Sequence, residues 1–391
     1  MTLKIVVAVA GFQRELTVRE AASAVGAGLR RIQPDVEVIK LPFVEGGEGF
    51  TAALVDATGG AMHPASVTGP WGDSLKSFFG LLGGEGPRSL VIEAAAAVGT
   101  SLLASADRDP GPGNSCGVGQ LLQIALSAGA ERILLGCADT LLLDGGVGMA
   151  RALGFRFLDG QDREIGEGVD ALRRLARIDG SQADPRLAEV RIDAVVDWHS
   201  VLLGSSGVAQ SMAFADRTRE ARLEEAFGKL ASALADASGH DVGLVAGSGA
   251  AKGLGATIQA LLGGNLRPLF DAMSEYLALD QSLETADLVL VVDGEAAPRG
   301  PEASALAKVA RQAKLQGAPV FALGIAPETG RGPGLTADLF LHVEPPRAEG
   351  ANSGMVSSKS LIRAAEEAMR LALTSRFARD ARRKAWPGAG G

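Results

Sequence analysis

The stretch PFVEGGEGF, residues 42–50, sets two carboxylates, Glu45 and Glu48, among three glycines, Gly46, Gly47 and Gly49. That composition suits either a tight turn or one wall of an active site. Three more glycine-rich stretches stand where apparent strands or loops open into helices: NSCGVG (114–119), DGGVG (144–148) and GSGAAKGLG (247–255). Glycine lets backbone N–H groups approach a ligand closely, and a helix N-terminus adds partial positive charge that suits a phosphate or carboxylate. On this ground Ser115, Gly117, Gly119, Asp144, Gly145, Gly146, Gly247, Gly249 and Lys252 join the loop glycines as candidate anion-binding residues. Any one such loop can equally be a helix cap or a turn, but four in one chain favour an anion site. None reads GxxxxGK followed by Ser or Thr, and no GxGxxG follows the first strand.

The elements that must position these residues are legible from apolar periodicity. KIVVAVA reads as a buried strand, LTVREAASAVGAGLRRI as a helix, VEVIKLP as a strand and GFTAALVDATG as a helix, the alternation of a parallel sheet. Thr17 with Glu20 three residues on predicts a capping box at the first helix. The last hundred residues repeat the pattern with DLVLVVDG, EASALAKVARQAKL, PVFALGI, DLFLHV and SLIRAAEEAMRLALTSRFA. Continuous apolar strands imply a sheet covered on both faces. Between them lie less regular strands: HPASVTG, SFFGLLG, SLVIEAAAA, RILLGC, FRFLDG and EVRIDAVVDW. The expectation is an α/β protein of two domains, with residues 1–62 and 285–380 forming one and 63–284 inserted into it as a second α/β domain. Residues 381–391 read as a frayed, disordered tail.

Composition narrows the function. The chain has 391 residues, 47% hydrophobic and 21% charged, and a net charge of -8 that repels phosphate backbones and anionic lipid. Neither nucleic acid nor membrane is an expected partner, and no apolar stretch reaches the roughly 18 residues a bilayer requires. The start, MTLKIVVAVAGF, reads as a strand rather than a signal peptide. Cys116 and Cys137 are too few for a disulfide framework and lack CxxC spacing. A cytoplasmic location follows as the expectation. His63, His199, His240 and His342 are scattered without metal-ligand spacing.

The order and spacing of several segments resemble the type I glycerate kinase family. They include REAASAVGAGLRRIQPDVEVIKLPFVEGGEGFTAALVDATGG, VTGPWGD, SLVIEAAAAVGT, CGVGQLL, DGGVGMARALGFRFLD, LLGSSGVA, GSGAAKGLGA and ADLVLVVDGE. The resemblance implies a flavodoxin-like parallel-sheet domain split by an inserted α/β domain, with the active site in the cleft. It also implies phosphorylation of glycerate, or a related small hydroxy acid, with ATP and magnesium. By it, Glu45, Glu48, Asp197 and Asp293 would hold metal or the substrate hydroxyl, with Glu48 and Asp197 the metal ligands. Loops at Gly117, Gly145 and Gly247 would cradle phosphates and carboxylate. The family's Asp-Gly-Gly-Glu-Gly appears here as EGGEG, one methylene longer at its first position.

The chain departs from the family pattern elsewhere. Val9, Ala10, Gly11, Phe12 and Gln13 replace Pro-Asp-Ser-Phe-Lys, and Ala138 to Asp144 replace Gly-Gly-Ser-Ala-Thr-Asn-Asp, keeping only the last residue. Ser200, Val201 and Leu202 stand for Asn-Pro-Leu, and Ala215, Asp216 and Arg217 for Gln-Lys-Gly. Val291, Val292, Asp293, Gly294 and Glu295 stand for Thr-Gly-Glu-Gly-Arg, and Ala297, Arg299, Ala303 and Ser304 follow where Asp, Gln and Gly-Lys are expected. Phosphoryl transfer rests on positioning and on positive charge at the transferring group. Lys252 and Arg299 are newly present cations, although a lysine on a helix is ordinarily solvated. Two readings stand at this point. One is a kinase. The other is a catalytically inactive, ligand-binding or partner-binding relative, in which Leu141, Leu142 and Leu143 form an exposed apolar patch for a protein partner, unless they are core.

Overall fold

The computed structural model describes residues 2–12, 16–104, 112–140, 142–212, 217–294, 304–325, 336–343 and 356–374. Gln13, Leu141, Ala215, Asp216, Glu295, Ala297, Arg299, Ala303 and the tail 381–391 lie outside them. The chain opens with β1 (Lys4–Ala10), α1 (Val18–Ile32) and β2 (Glu37–Pro42), then α2 (Phe50–Thr58), β3 (Ala61–Thr68), β4 (Ser74–Leu81) and β5 (Ser89–Glu93). Short helices α3 (Ala95–Val98) and α4 (Thr100–Ala104) precede α5 (Cys116–Ser127), β6 (Arg132–Gly136), α6 (Val147–Ala152) and β7 (Arg156–Asp159). Next come α7 (Val169–Leu172), β8 (Leu175–Asp179), β9 (Arg191–Val196), α8 (Val208–Ser211), α9 (Arg217–Ser238), α10 (Ala250–Leu262) and β10 (Asn265–Pro268). The chain closes with α11 (Leu269–Tyr276), α12 (Leu279–Glu284), β11 (Leu288–Asp293), α13 (Ala305–Leu315), β12 (Val320–Gly324), β13 (Leu339–His342) and α14 (Ser358–Thr374).

The chain divides into two compact units, 1–44 with 273–391, and 45–272. The first holds a five-stranded sheet in the order β13-β12-β11-β1-β2, parallel at every pairing. Numbered within this unit that is the flavodoxin order, with the second unit inserted between its second and third strands. Ile5 to Val9 are wholly buried, as the unbroken apolar run requires of a strand covered on both faces. Ile5, Val7 and Val9 pack with Ala21, Val25 and Leu29 of α1 and Leu361, Ala365 and Met369 of α14. The expected capping box is present: Thr17 Oγ1 accepts the Glu20 N–H at 3.2 Å, and Glu20 Oε2 accepts the Thr17 N–H at 2.9 Å. Such a cap contributes about 1 kcal/mol. Helices α1 and α14 approach so closely that a Cβ on Gly28 would lie 2.4 Å from the Ile362 carbonyl oxygen.

The second unit holds a six-stranded mixed sheet, β10-β9-β6-β5-β4-β3. The four strands β10, β9, β6 and β5 are parallel and the β4 and β3 pairings antiparallel. A separate β7–β8 hairpin completes it. The division falls after Val44 and Ala272, not after 62 and 284 as expected from sequence. Helix α2 explains the first shift, because it packs on β3, β4 and β5 and its Thr51 N–H donates to Glu93 at the end of β5. The EGGEG loop therefore belongs to the inserted unit. Among the described residues no helix is long and apolar enough to cross a membrane.

Candidate active site

The carboxyl ends of the parallel strands in the second unit converge on the EGGEG loop, the edge where open α/β sheets place their ligands. A Cβ on Gly136, the last residue of β6, would lie 2.4 Å from the Gly46 carbonyl oxygen, so strand end and loop meet backbone to backbone. Gly46 takes φ +80°, and its carbonyl accepts the Ala138 N–H at 3.2 Å. Beyond β6, Cys137 donates its N–H to the Val195 carbonyl of β9 at 2.9 Å. Strand β9 ends at Val196, and the exposed Asp197 follows, its Oδ1 accepting the His199 N–H at 3.1 Å. Glu45 and Glu48 are also exposed. Glu48, Gly49 and the first turn of α2 thus stand over one sheet edge, with Asp197 at the end of the next strand.

Two carboxylates that sequence reasoning missed shape this loop. Glu93, 3% exposed, accepts the Gly49 N–H at 3.2 Å and the Thr51 N–H at 2.8 Å, so it fills the N-terminus of α2 from inside. Asp139 accepts the Glu48 N–H through Oδ2 at 3.0 Å. A carboxylate closing the apolar run SLVI was the available signal for Glu93; nothing in the sequence marks Asp139.

Burial pushes the Glu93 carboxyl above its ordinary value, by more than the amide donors at Thr51 and Gly49 pull it down. The folded state therefore holds this proton more tightly than the unfolded chain does. Its contribution to stability is fully present below pH 4.5 and is lost as pH rises through the raised folded value. Glu93→Gln removes the ionisation. Melting of variant and parent should show the Tm of the variant climbing relative to the parent as pH rises above 4.5. A constant difference would mean that Glu93 titrates alike folded and unfolded.

The GSGAAKGLG turn is tied to the same edge. Gly247 and Gly249 donate their N–H groups to the Ser200 carbonyl at 2.9 and 3.2 Å, and Ser200 lies three residues beyond Asp197. Leu202 is buried and gives its N–H to Ser248 Oγ at 3.0 Å. Ser200 and Leu202 thus anchor the turn by their backbone. Within it Ala251, Lys252 and Gly253 are consecutively left-handed, at φ 49°, 57° and 97°. An L residue with a Cβ spends about 1–2 kcal/mol there. Lys252 is half-buried, and burial lowers its ammonium below the ordinary 10.5. Among the described residues no carboxylate forms an ion pair with it.

The other two glycine loops meet each other at Asp144. Asp144, buried, accepts the Ser115 N–H and Oγ–H at 2.8 Å each, the Gly148 N–H at 3.0 Å and the Gly146 N–H at 3.2 Å, the capacity of one carboxylate. The Ser115, Gly146 and Gly148 amides at the starts of α5 and α6 are thereby held by the protein's own anion. A Cβ on Gly117 would lie 2.3 Å from the Thr68 carbonyl, one on Gly119 2.3 Å from the Met149 carbonyl, and one on Gly145 2.3 Å from Leu230. At each of these glycines the missing side chain admits close packing. Gly49 is the contrast: at φ +86° it has nothing within 4 Å of the position a Cβ would take.

Leu142 and Leu143 are buried in the core of the second unit, so the expected apolar patch does not form there; Leu141 lies outside the described residues. Asp293 is placed in the first unit, at the end of β11 and in register with Ala10 of β1, the point where that sheet's strand order reverses. Gly294 donates its N–H to the Ala10 carbonyl there at 3.0 Å. The second unit has two concavities: one of about 600 Å³ beside Thr68, Asp73 and Gln120, and one of about 130 Å³ between the NSCGVG and DGGVG loops, beside Asn114, Cys116, Asp144, Gly148 and Arg151. Neither is lined by Glu45, Glu48 or Asp197.

The sequence model of the Glycerate kinase family matches residues 5–370 of the chain. A glycerate kinase of Haemophilus influenzae is 36% identical over 326 residues, covering 82% of this chain and 85% of that protein. A glycerate 2-kinase of Escherichia coli K12 is 35% identical over 327 residues, covering 83% and 85%. A crystal structure of a glycerate kinase 2 from Salmonella typhimurium LT2 superimposes with a TM-score of 0.81 at 32% identity, covering 97% of this chain and 99% of that one.

Proposed function

The chain belongs to the glycerate kinase family, and on that premise we propose that it phosphorylates glycerate with magnesium and ATP at the EGGEG edge of its second unit. One observation carries the reading. The family's two-carboxylate loop is docked on the carboxyl ends of β6 and β9, with Glu48 exposed and fixed and with Asp197 closing β9.

Among the described residues no three His, Cys, Asp or Glu side chains form a ready metal cage. Magnesium does not require one, since it keeps several waters and takes one or two carboxylates together with the phosphates it bridges. Glu48 and Asp197 are oxygen donors of that kind and would hold it. Bound there, the ion would neutralise charge on the triphosphate. Glu45 accepts the proton of the attacking hydroxyl as its oxygen bonds to the γ-phosphorus and the bond to the bridging oxygen of ADP breaks. Lys252 supplies positive charge toward the anionic phosphates or the glycerate carboxylate, and Gly247 and Gly249 set the turn that presents it.

The test is ADP release by the purified chain with magnesium, ATP and glycerate, joined to calorimetric titration of each ligand. Glycerate-dependent ADP and a phosphoglycerate product are expected. Failure of either ligand to bind, with no ADP formed, would overturn the assignment.

A further inference from the structure

Asp139 follows β6 and holds φ +54°, a left-handed conformation that most residues with a Cβ avoid and that Asp and Asn tolerate best. Its two polar ends lead to the same neighbour. Through Oδ2 it accepts the backbone N–H of Glu48 at 3.0 Å. Through its carbonyl it accepts the Thr100 N–H at 2.8 Å, and the next residue, Ser101, donates its N–H to Glu48 Oε1 at 3.1 Å. The backbone of Glu48 is thus held directly, and its carboxylate by the turn that Asp139 anchors. Gly47 is part of the same fit, since a Cβ there would lie 1.8 Å from Asp139 Oδ2. We infer that Asp139 is a positioning residue that fixes Glu48 by clamping both the EGGEG backbone and the 99–101 turn. The catalytic side of the inference rests on the kinase reading of Glu48; the clamp itself does not. An exposed hydrogen bond is worth little to global stability, whereas a misplacement of about 1 Å at a reacting group can cost about 100-fold in rate.

Two variants separate this role from a merely structural one. Asp139→Gly removes the acceptor and relieves the left-handed backbone, whereas Asp139→Asn keeps an acceptor oxygen and tolerates that conformation. In Asp139→Gly, kcat with glycerate should fall about tenfold with KM nearly unchanged and Tm not lowered, and Asp139→Asn should recover most of the loss. Amide exchange of the peptide spanning Glu48, read by mass spectrometry, should quicken about tenfold in the Gly variant and stay at the parent rate in the Asn variant. Unchanged exchange in Asp139→Gly overturns the clamp. A kcat unchanged in Asp139→Gly, or lowered as much in Asp139→Asn, overturns its catalytic consequence. A parent protein without glycerate turnover overturns the kinase reading instead, and the exchange measurement still decides the clamp.

Discussion

Glu48→Gln should lower glycerate-dependent kcat/KM by about 100-fold while leaving the fold intact. The substitution preserves the side chain's length and an oxygen able to accept the Ser101 N–H, so the loop keeps its shape. What it removes is charge, and a neutral amide is a poor magnesium ligand beside one or two carboxylates. The exposed position sets the stability expectation. A surface substitution of this kind ordinarily changes stability by less than about 0.5 kcal/mol, a shift of about 2 °C or less in Tm for a unit of this size. Steady-state kinetics beside thermal melting checks both halves. A kcat/KM within a factor of about two of the parent would remove Glu48 from the chemistry.

Lys252→Met should reduce kcat/KM for ATP by a comparable factor, about 100-fold, and should not lower Tm. A half-buried ammonium in a left-handed backbone, with no ion pair among the described residues, is a cost that packing alone does not explain. Methionine keeps the length and apolar stem while deleting the charge, so an unchanged or raised Tm with lost activity separates function from folding. The pH profile adds a second check. If the protonated amine is required, burial brings the alkaline limb of kcat/KM to a pH below 10.5, and Lys252→Arg moves that limb upward. An unaltered limb in Lys252→Arg would place the titrating group elsewhere.

The sequence disclosed the sheets readily, because a strand covered on both faces must be apolar throughout, as Ile5 to Val9 are. It missed β8 and β10: LARID is short and buries only Leu175, and NLRP ends in proline, so neither carries a clear strand pattern. The boundary after residue 62 failed for a different reason. The βαβα alternation runs unbroken through α2, and what assigns that helix to the second sheet, its packing on β3 to β5 and its bond to Glu93, is made across long stretches of chain. Of the candidate site residues, Glu45, Glu48 and Asp197 stand exposed, as groups meant to meet a ligand must. The glycines are harder to read, because a residue lacking a side chain looks the same whether a ligand or another helix comes close. Gly49 faces open space and Gly117 faces a carbonyl, and no local pattern separates them. Asp139 and Glu93 act across 91 and 42 to 44 residues of sequence, beyond the reach of any spacing rule. Leu142 and Leu143 followed the general habit of apolar runs and went inside.

The central strand pairing of the first unit joins chain segments made far apart in time. Lys4 donates its backbone N–H to the Asp287 carboxylate, 283 residues downstream, and Ile5 lies in register with Leu288. At a synthesis rate of about 10 residues per second, β1 waits about half a minute for its neighbour β11. The second unit is continuous and has no such delay. On the ribosome, the insert that bears the EGGEG loop can therefore be complete while the surrounding sheet is still two strands, β1 and β2, with β1 carrying an unpaired apolar edge open to chaperones or to misassociation.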